Sequence, residues 1–227
     1  MANIGVVRAR LIAGAVLAGV FIVAGVADAS LPPPGFGRSV DVGLVSGRVV
    51  VTPPGGRSFV LGTNDRNVPL GSLIDATHGR VDLRAAPPPG RAGATAARVE
   101  DAQFYDGAFR VTQSARNPVA EIRLAGGNTA ACLANAAERD GLAPRRARPH
   151  KLVRLLWASG SGSFRTVGHY SAGTVLGTRW LTEDFCDGTR ARVAEGVVAV
   201  EDFATQTTVT VRAGHSVFTP AAAAAPR

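Results

Sequence analysis

Residues 152–182 read LVRLLWASGSGSFRTVGHYSAGTVLGTRWLT, and they decide the fold class. Apolar and polar residues alternate through 152–157, 162–167, 170–176 and 178–182, with Gly, Ser or His-Tyr between the runs. Period-two alternation in short runs bounded by turn residues is the signature of half-buried strands, and Ser159-Gly-Ser-Gly-Ser163 reads as a hairpin turn. The same rhythm continues outward on both sides. Toward the C-terminus a turn at Asp187-Gly188 leads to strands at 189–193, 197–201 and 207–212. Toward the N-terminus lie 40–45, 47–52, 57–61, 68–74, 80–84, 98–105, 108–113 and 118–124, with Pro53-Pro54-Gly55-Gly56 as one clear turn. No amphipathic run of helical period reaches a dozen residues beyond residue 29. The expectation is all-β: a sandwich or roll of many short antiparallel strands in two halves, 40–125 and 152–219. Between the halves, 126–151 breaks the rhythm and reads as a short irregular or partly helical insertion, with an Ala-rich stretch at 130–139. Together these make a single β domain over 40–219, behind a Pro-rich leader at 30–39 and ahead of a low-complexity tail, PAAAAAPR, at 220–227.

Residues 1–29 carry a different signal. Arg8 and Arg10 precede sixteen uncharged residues (11–26), and Ala27-Asp28-Ala29 follows. A positive start, an apolar run of this length and an A-x-A site define a secretory signal peptide, with cleavage between Ala29 and Ser30. A retained anchor is the alternative, but sixteen residues fall short of the roughly 20 that a spanning helix needs. No later stretch approaches that length, so no stable membrane span is expected after cleavage. The localisation that follows is extracytoplasmic, either secreted or associated with the cell envelope.

The chain has 227 residues and a net charge of +8. Its basic residues are nearly all Arg, and much of the excess sits in 139–154 (Arg139, Arg145, Arg146, Arg148, Lys151 and Arg154). A local basic stretch in an otherwise balanced chain reads as a solvated linker, and no nucleic-acid partner is expected from it. Cys132 and Cys186 are the only cysteines. In an oxidising compartment they can pair only with each other, closing a loop whose entropy contributes on the order of 4 kcal/mol.

Chemistry-bearing patterns are sparse. His78, His150, His169 and His215 show no metal-ligand spacing, and no nucleophile elbow or phosphate loop occurs. Glu183, Asp184 and Asp187 crowd around Cys186; a calcium site is conceivable there, but the spacing fits a polar β-turn better. Trp157, Trp180, Phe164, Phe203 and Tyr170 lie at strand positions, where core packing is expected rather than a carbohydrate platform. The expectation is therefore no catalytic residue, no metal and no cofactor.

Several segments, read in order, resemble the extracytoplasmic domain of the FecR-like family, in an actinobacterial-type exported form of uncharacterised function. They are GRVVV at 47–51, VPLGSLID at 68–75, GRVDL at 79–83, GSFRT at 162–166, TVLGT at 174–178, VAEGVVAV at 193–200 and VTVRAG at 209–214. The stretch WLTEDFCDGT at 180–189 strengthens the likeness. The resemblance covers about 45–125 and 152–216 and implies a non-enzymatic β domain that binds or senses an envelope protein or ligand. Family members proper resemble membrane-spanning regulators of a sigma factor. Only about ten residues precede the apolar run here, so that relay is not carried over. The rival expectations are a secreted hydrolase with an unrecognised site and a passive, wall-associated structural module.

Overall fold

A computed structural model describes residues 31–87, 99–129, 132 and 150–221. The signal segment with Ala29 and Ser30, most of the insertion and the end of the tail lie outside the described residues. The first half contains β1 (Ser39–Thr52), β2 (Phe59–Val60), β3 (Arg66–Pro69), β4 (Leu73–Ala85), β5 (Glu100–Tyr105), β6 (Ala108–Thr112) and β7 (Ala120–Ala125). The second contains β8 (Leu152–Val167), β9 (Ser171–Phe185), β10 (Gly188–Glu195), β11 (Val197–Asp202), β12 (Thr208–Arg212) and β13 (Ser216–Pro220). The all-β expectation holds. All pairings are antiparallel except β7 against β8, which is parallel.

The strands are not uniformly short. β1, β4, β8 and β9 run 14, 13, 16 and 15 residues. β1, β8 and β9 each absorb two of the segments that the sequence separates, β4 joins the end of one to the whole of another, and each changes partners along its length. At one end the order is β3–β1–β4–β5–β8–β9–β10–β13. At the other it is β2–β1–β4–β6–β7–β8–β9–β11–β12. The sheet thus folds on itself into two layers that share four long strands.

The residues at the fold line explain how. Register shifts fall between Leu44 and Ser46 and between Arg48 and Val50 in β1, and between Gly160 and Ser163 in β8. Each shift is a bulge, which bends a strand and can change which side chains face inward. Val40 and Val42 point into the core before the bend of β1, and Val49 and Val51 after it. Gly47 has φ 70° and pairs with Gly79 of β4. A Cβ on Gly79 would lie 2.8 Å from backbone atoms of Ser46 and Arg48, so the two strands can cross this closely only without side chains. Ser159–Ser163, expected to be a hairpin turn, is instead the corner of β8.

One hydrophobic cluster fills the space between the layers and draws on both halves, from Val40 through Phe104 to Val211. Phe104 of β5 packs on Phe109 of β6 at 5.0 Å and on Phe164 of β8 at 5.7 Å between ring centroids, which joins one layer to the other. Each such fully buried side chain contributes about 1.5–3 kcal/mol. Among the described residues no helix is long and apolar enough to cross a membrane.

Candidate functional site

Folding the β8–β9 hairpin in half brings its tip back onto its own base. Asp184, the penultimate residue of β9, is 2% exposed and faces inward. Its carboxylate accepts hydrogen bonds from Arg154 Nε at 2.7 Å, Thr189 Oγ1 at 2.5 Å and the backbone N–H of His169 at 2.9 Å. His169 belongs to the β8–β9 turn, at the far end of β9. Tyr170, beside it, donates its backbone N–H to Thr189 Oγ1 at 3.1 Å. Deeper between the layers, Trp180 Nε1 donates to Thr166 Oγ1, and Thr166 and Thr182 share a hydrogen bond, each at 2.9 Å. This polar spine satisfies groups that burial would otherwise leave costly. Arg154, read from sequence as part of a solvated basic linker, is instead one half of a largely buried ion pair.

The adjoining β9–β10 turn is a second cluster. Cys186 is disulfide-bonded to Cys132, with Cα atoms 5.3 Å apart, and donates its N–H to the Lys151 carbonyl at 3.0 Å. His150 stacks on Phe185 at 4.2 Å, leans on Phe218 at 5.3 Å and pairs with Asp187 at 3.1 Å. Glu183 grips Arg190 through two bonds of 2.7 and 2.9 Å. Those bonds hold the Arg190 guanidinium above its ordinary pKa, against the opposing effect of partial burial. Glu183, Asp184 and Asp187, the three acids considered for calcium, therefore each carry a basic partner. The turn itself is Cys186-Asp187, with Gly188 opening β10. Both flanks of the insertion, at Cys132 and at His150-Lys151, are thereby fixed to one turn.

The aromatic residues divide. Trp180 and Phe164 are core residues, as expected. Phe203 is 38% exposed, Tyr170 is half-buried in the β8–β9 turn, and Trp157 lies half-buried on the outer face of the sheet, which corrects the expectation for all three. Arg80, Tyr105 and Trp157 stand in one cross-strand row. The Arg80 guanidinium lies 3.9 Å from the Tyr105 ring centre, and Trp157 stacks parallel to Tyr105 at 6.0 Å. Both faces of Tyr105 are thus taken within the chain, whereas a sugar-stacking platform needs a ring face open to solvent.

On the same outer face, Asp41, Asp65, Asp82 and Asp101 surround Arg84, which pairs with Asp65 directly and with Asp82 at 3.8 Å. Burial raises the Asp41 carboxyl above its ordinary 3.8, although Asn67, donating at 2.7 Å, and Arg84 oppose it. Burial likewise raises Asp82, with Asp101 and Asp65 adding repulsion and Arg84 opposing. A folded carboxyl that holds its proton more tightly than the unfolded one adds stability fully present below pH 3.8 and lost as pH rises through the raised value. Asp82→Asn should therefore be more stable than the parent at pH 7, by about 0.5 kcal/mol. The advantage should vanish near pH 3, and urea midpoints at the two pH values check it.

Comparison of the chain with family models, with curated proteins and with solved structures finds no match. The fold and these clusters define a disulfide-bonded, two-layered all-β domain.

Proposed function

We propose that the chain is an exported, non-enzymatic binding or sensing module of the cell envelope, of FecR-like type. The observation that carries the reading is the Cys132–Cys186 disulfide, which fastens the insertion to the β9–β10 turn. A bond of this kind persists in oxidising compartments and is rare in reducing ones. The signal-like segment ahead of Ser30 gives the same direction independently. Against a hydrolytic role, the acids that crowd Cys186 are each engaged by Arg190, Arg154 or His150. General acid–base work would first have to break those pairs. The FecR-like reading rests on the sequence segments quoted above, and the partner is an envelope protein or ligand. N-terminal sequencing of the protein recovered from outside the cytoplasm should start at Ser30. Recovery of the protein only in the cytoplasm, with residues 1–29 intact, would overturn export and the function built on it.

A further inference from the structure

Among the described residues the sheet ends in four strands with a free edge: β2, β3, β12 and β13. Free edges invite pairing with other chains, and proteins blunt them with proline, charge, bulges or brevity. Three are blunted here. β2 has two residues and follows Pro53-Pro54 closely. β3 carries Arg66 and ends at Pro69. β13 ends at Pro220, and Ala221 just beyond it is hydrogen-bonded to Asp187. β12, TVTVR, has no proline or glycine, no register shift against β11, and its single charge only at its last residue.

The hydrogen-bond phase of β12 is fixed by its flanks. Asp202 N–H bonds to the Thr207 carbonyl at 2.9 Å, and Ala213 N–H to the Gly196 carbonyl at 3.0 Å. In an antiparallel ladder bonded pairs alternate, so Val209 and Val211 also face β11. Thr208, Thr210 and Arg212 therefore aim their N–H and C=O groups away from the sheet. Among the described residues none of these groups meets another strand, although the Arg212 carbonyl accepts the His215 N–H at 3.0 Å in the turn that follows. Val209, opposite the buried Val200, is itself 50% exposed.

We propose that β12 is a self-pairing edge, joining two copies of this chain antiparallel about a two-fold axis through Thr210. The strand is complementary to itself in that register. Thr210 meets Thr210 of the second copy, Thr208 meets Arg212, and Val209 meets Val211. Thr210 exchanges both backbone bonds with its counterpart and Arg212 donates its N–H to the Thr208 carbonyl, its own carbonyl being held by the His215 N–H; the apolar side chains meet on the inner face, and no like charges oppose each other. Arg212 of one copy also falls in the row of Thr208 and Glu201 of the other. Glu201, which pairs with Arg165 at 2.7 Å within its own chain, is two strands away, about 10 Å, within reach of an extended arginine and of opposite sign. A foreign strand would have no reason to share this pattern, which is why the occupant is a second copy.

Sedimentation of the oxidised protein over a concentration series should show a monomer–dimer equilibrium. Thr210→Pro removes only an N–H that β11 does not use, so the circular dichroism should stay while dimerisation weakens by at least about tenfold. Thr210→Lys, which opposes two ammonium groups across the axis, should do the same. Thr210→Cys should cross-link copies on mild oxidation, because a bonded pair places its Cα atoms about 5.5 Å apart; Thr205→Cys, in the preceding turn, should not. A protein that stays monomeric throughout overturns the proposal. So does a dimer indifferent to both substitutions, or cross-linking equal at Thr205 and Thr210. Export plays no part in these readouts, so they stand apart from the functional reading.

Discussion

Arg154→Met should lower the unfolding free energy by about 3 kcal/mol, because it strands a buried carboxylate. Asp184 would keep the hydroxyl of Thr189 and the N–H of His169 but lose its one ion-pair partner among the described residues. The guanidinium is largely buried, its side chain 19% exposed against 3% for Asp184, so water cannot fully replace it. Adding Asp184→Leu should recover a large share of the loss, since removing a buried pair together costs far less than breaking it. Urea unfolding of the single and double variants measures both. A single variant within about 0.5 kcal/mol of the parent would show that the pair behaves as an exposed one.

Loss of the disulfide is the second large effect. Cys132 and Cys186 are 54 residues apart, and loop entropy for such a span is about 4 kcal/mol. Cys132→Ser and Cys186→Ser should each cost about 2–4 kcal/mol, and by similar amounts, since either abolishes the same loop. The damage should also have a location. With the bond gone, the described ties between the insertion and the β9–β10 turn are the contacts of His150 and Lys151, so cleavage at the arginines of 139–148 should accelerate. Thiol alkylation of the denatured, unreduced protein gives an independent reading: no label on the parent and one on each variant. Two labelled cysteines on the parent would mean that the bond does not form.

The strand content was legible because alternation survives any tertiary context. Val40, Val42, Val49 and Val51 announce an inward face whether or not the chain bends between them. Where strands stop was not legible. Gly47, Gly79 and Gly160 read as punctuation, and locally a glycine that ends a strand looks like one that lets a strand turn a corner. Only the cross-strand fit of Gly47 against Gly79 distinguishes them. Arg154 was misplaced for a related reason. Its neighbours in sequence are basic, while its partner is thirty residues away across a folded hairpin. The turn near Asp187, which falls one residue earlier than Asp-Gly suggests, and the cysteine pairing needed less, since Asp-Gly is strong local chemistry and two cysteines admit one bond. Trp157 was expected inside because strand position alone does not say which face is covered.

The four shared strands also limit how such a domain could have been assembled or taken apart. Neither layer is a continuous piece of chain: each takes one end of β1, β4, β8 and β9 and leaves the other end to its neighbour. A gene fragment encoding one layer therefore does not exist. The natural seam runs along the chain instead, through the insertion between β7 and β8, where each side keeps a whole long hairpin. Recombination, duplication or circular rearrangement of this architecture would have to work in hairpins, with the glycine corners inherited inside each piece.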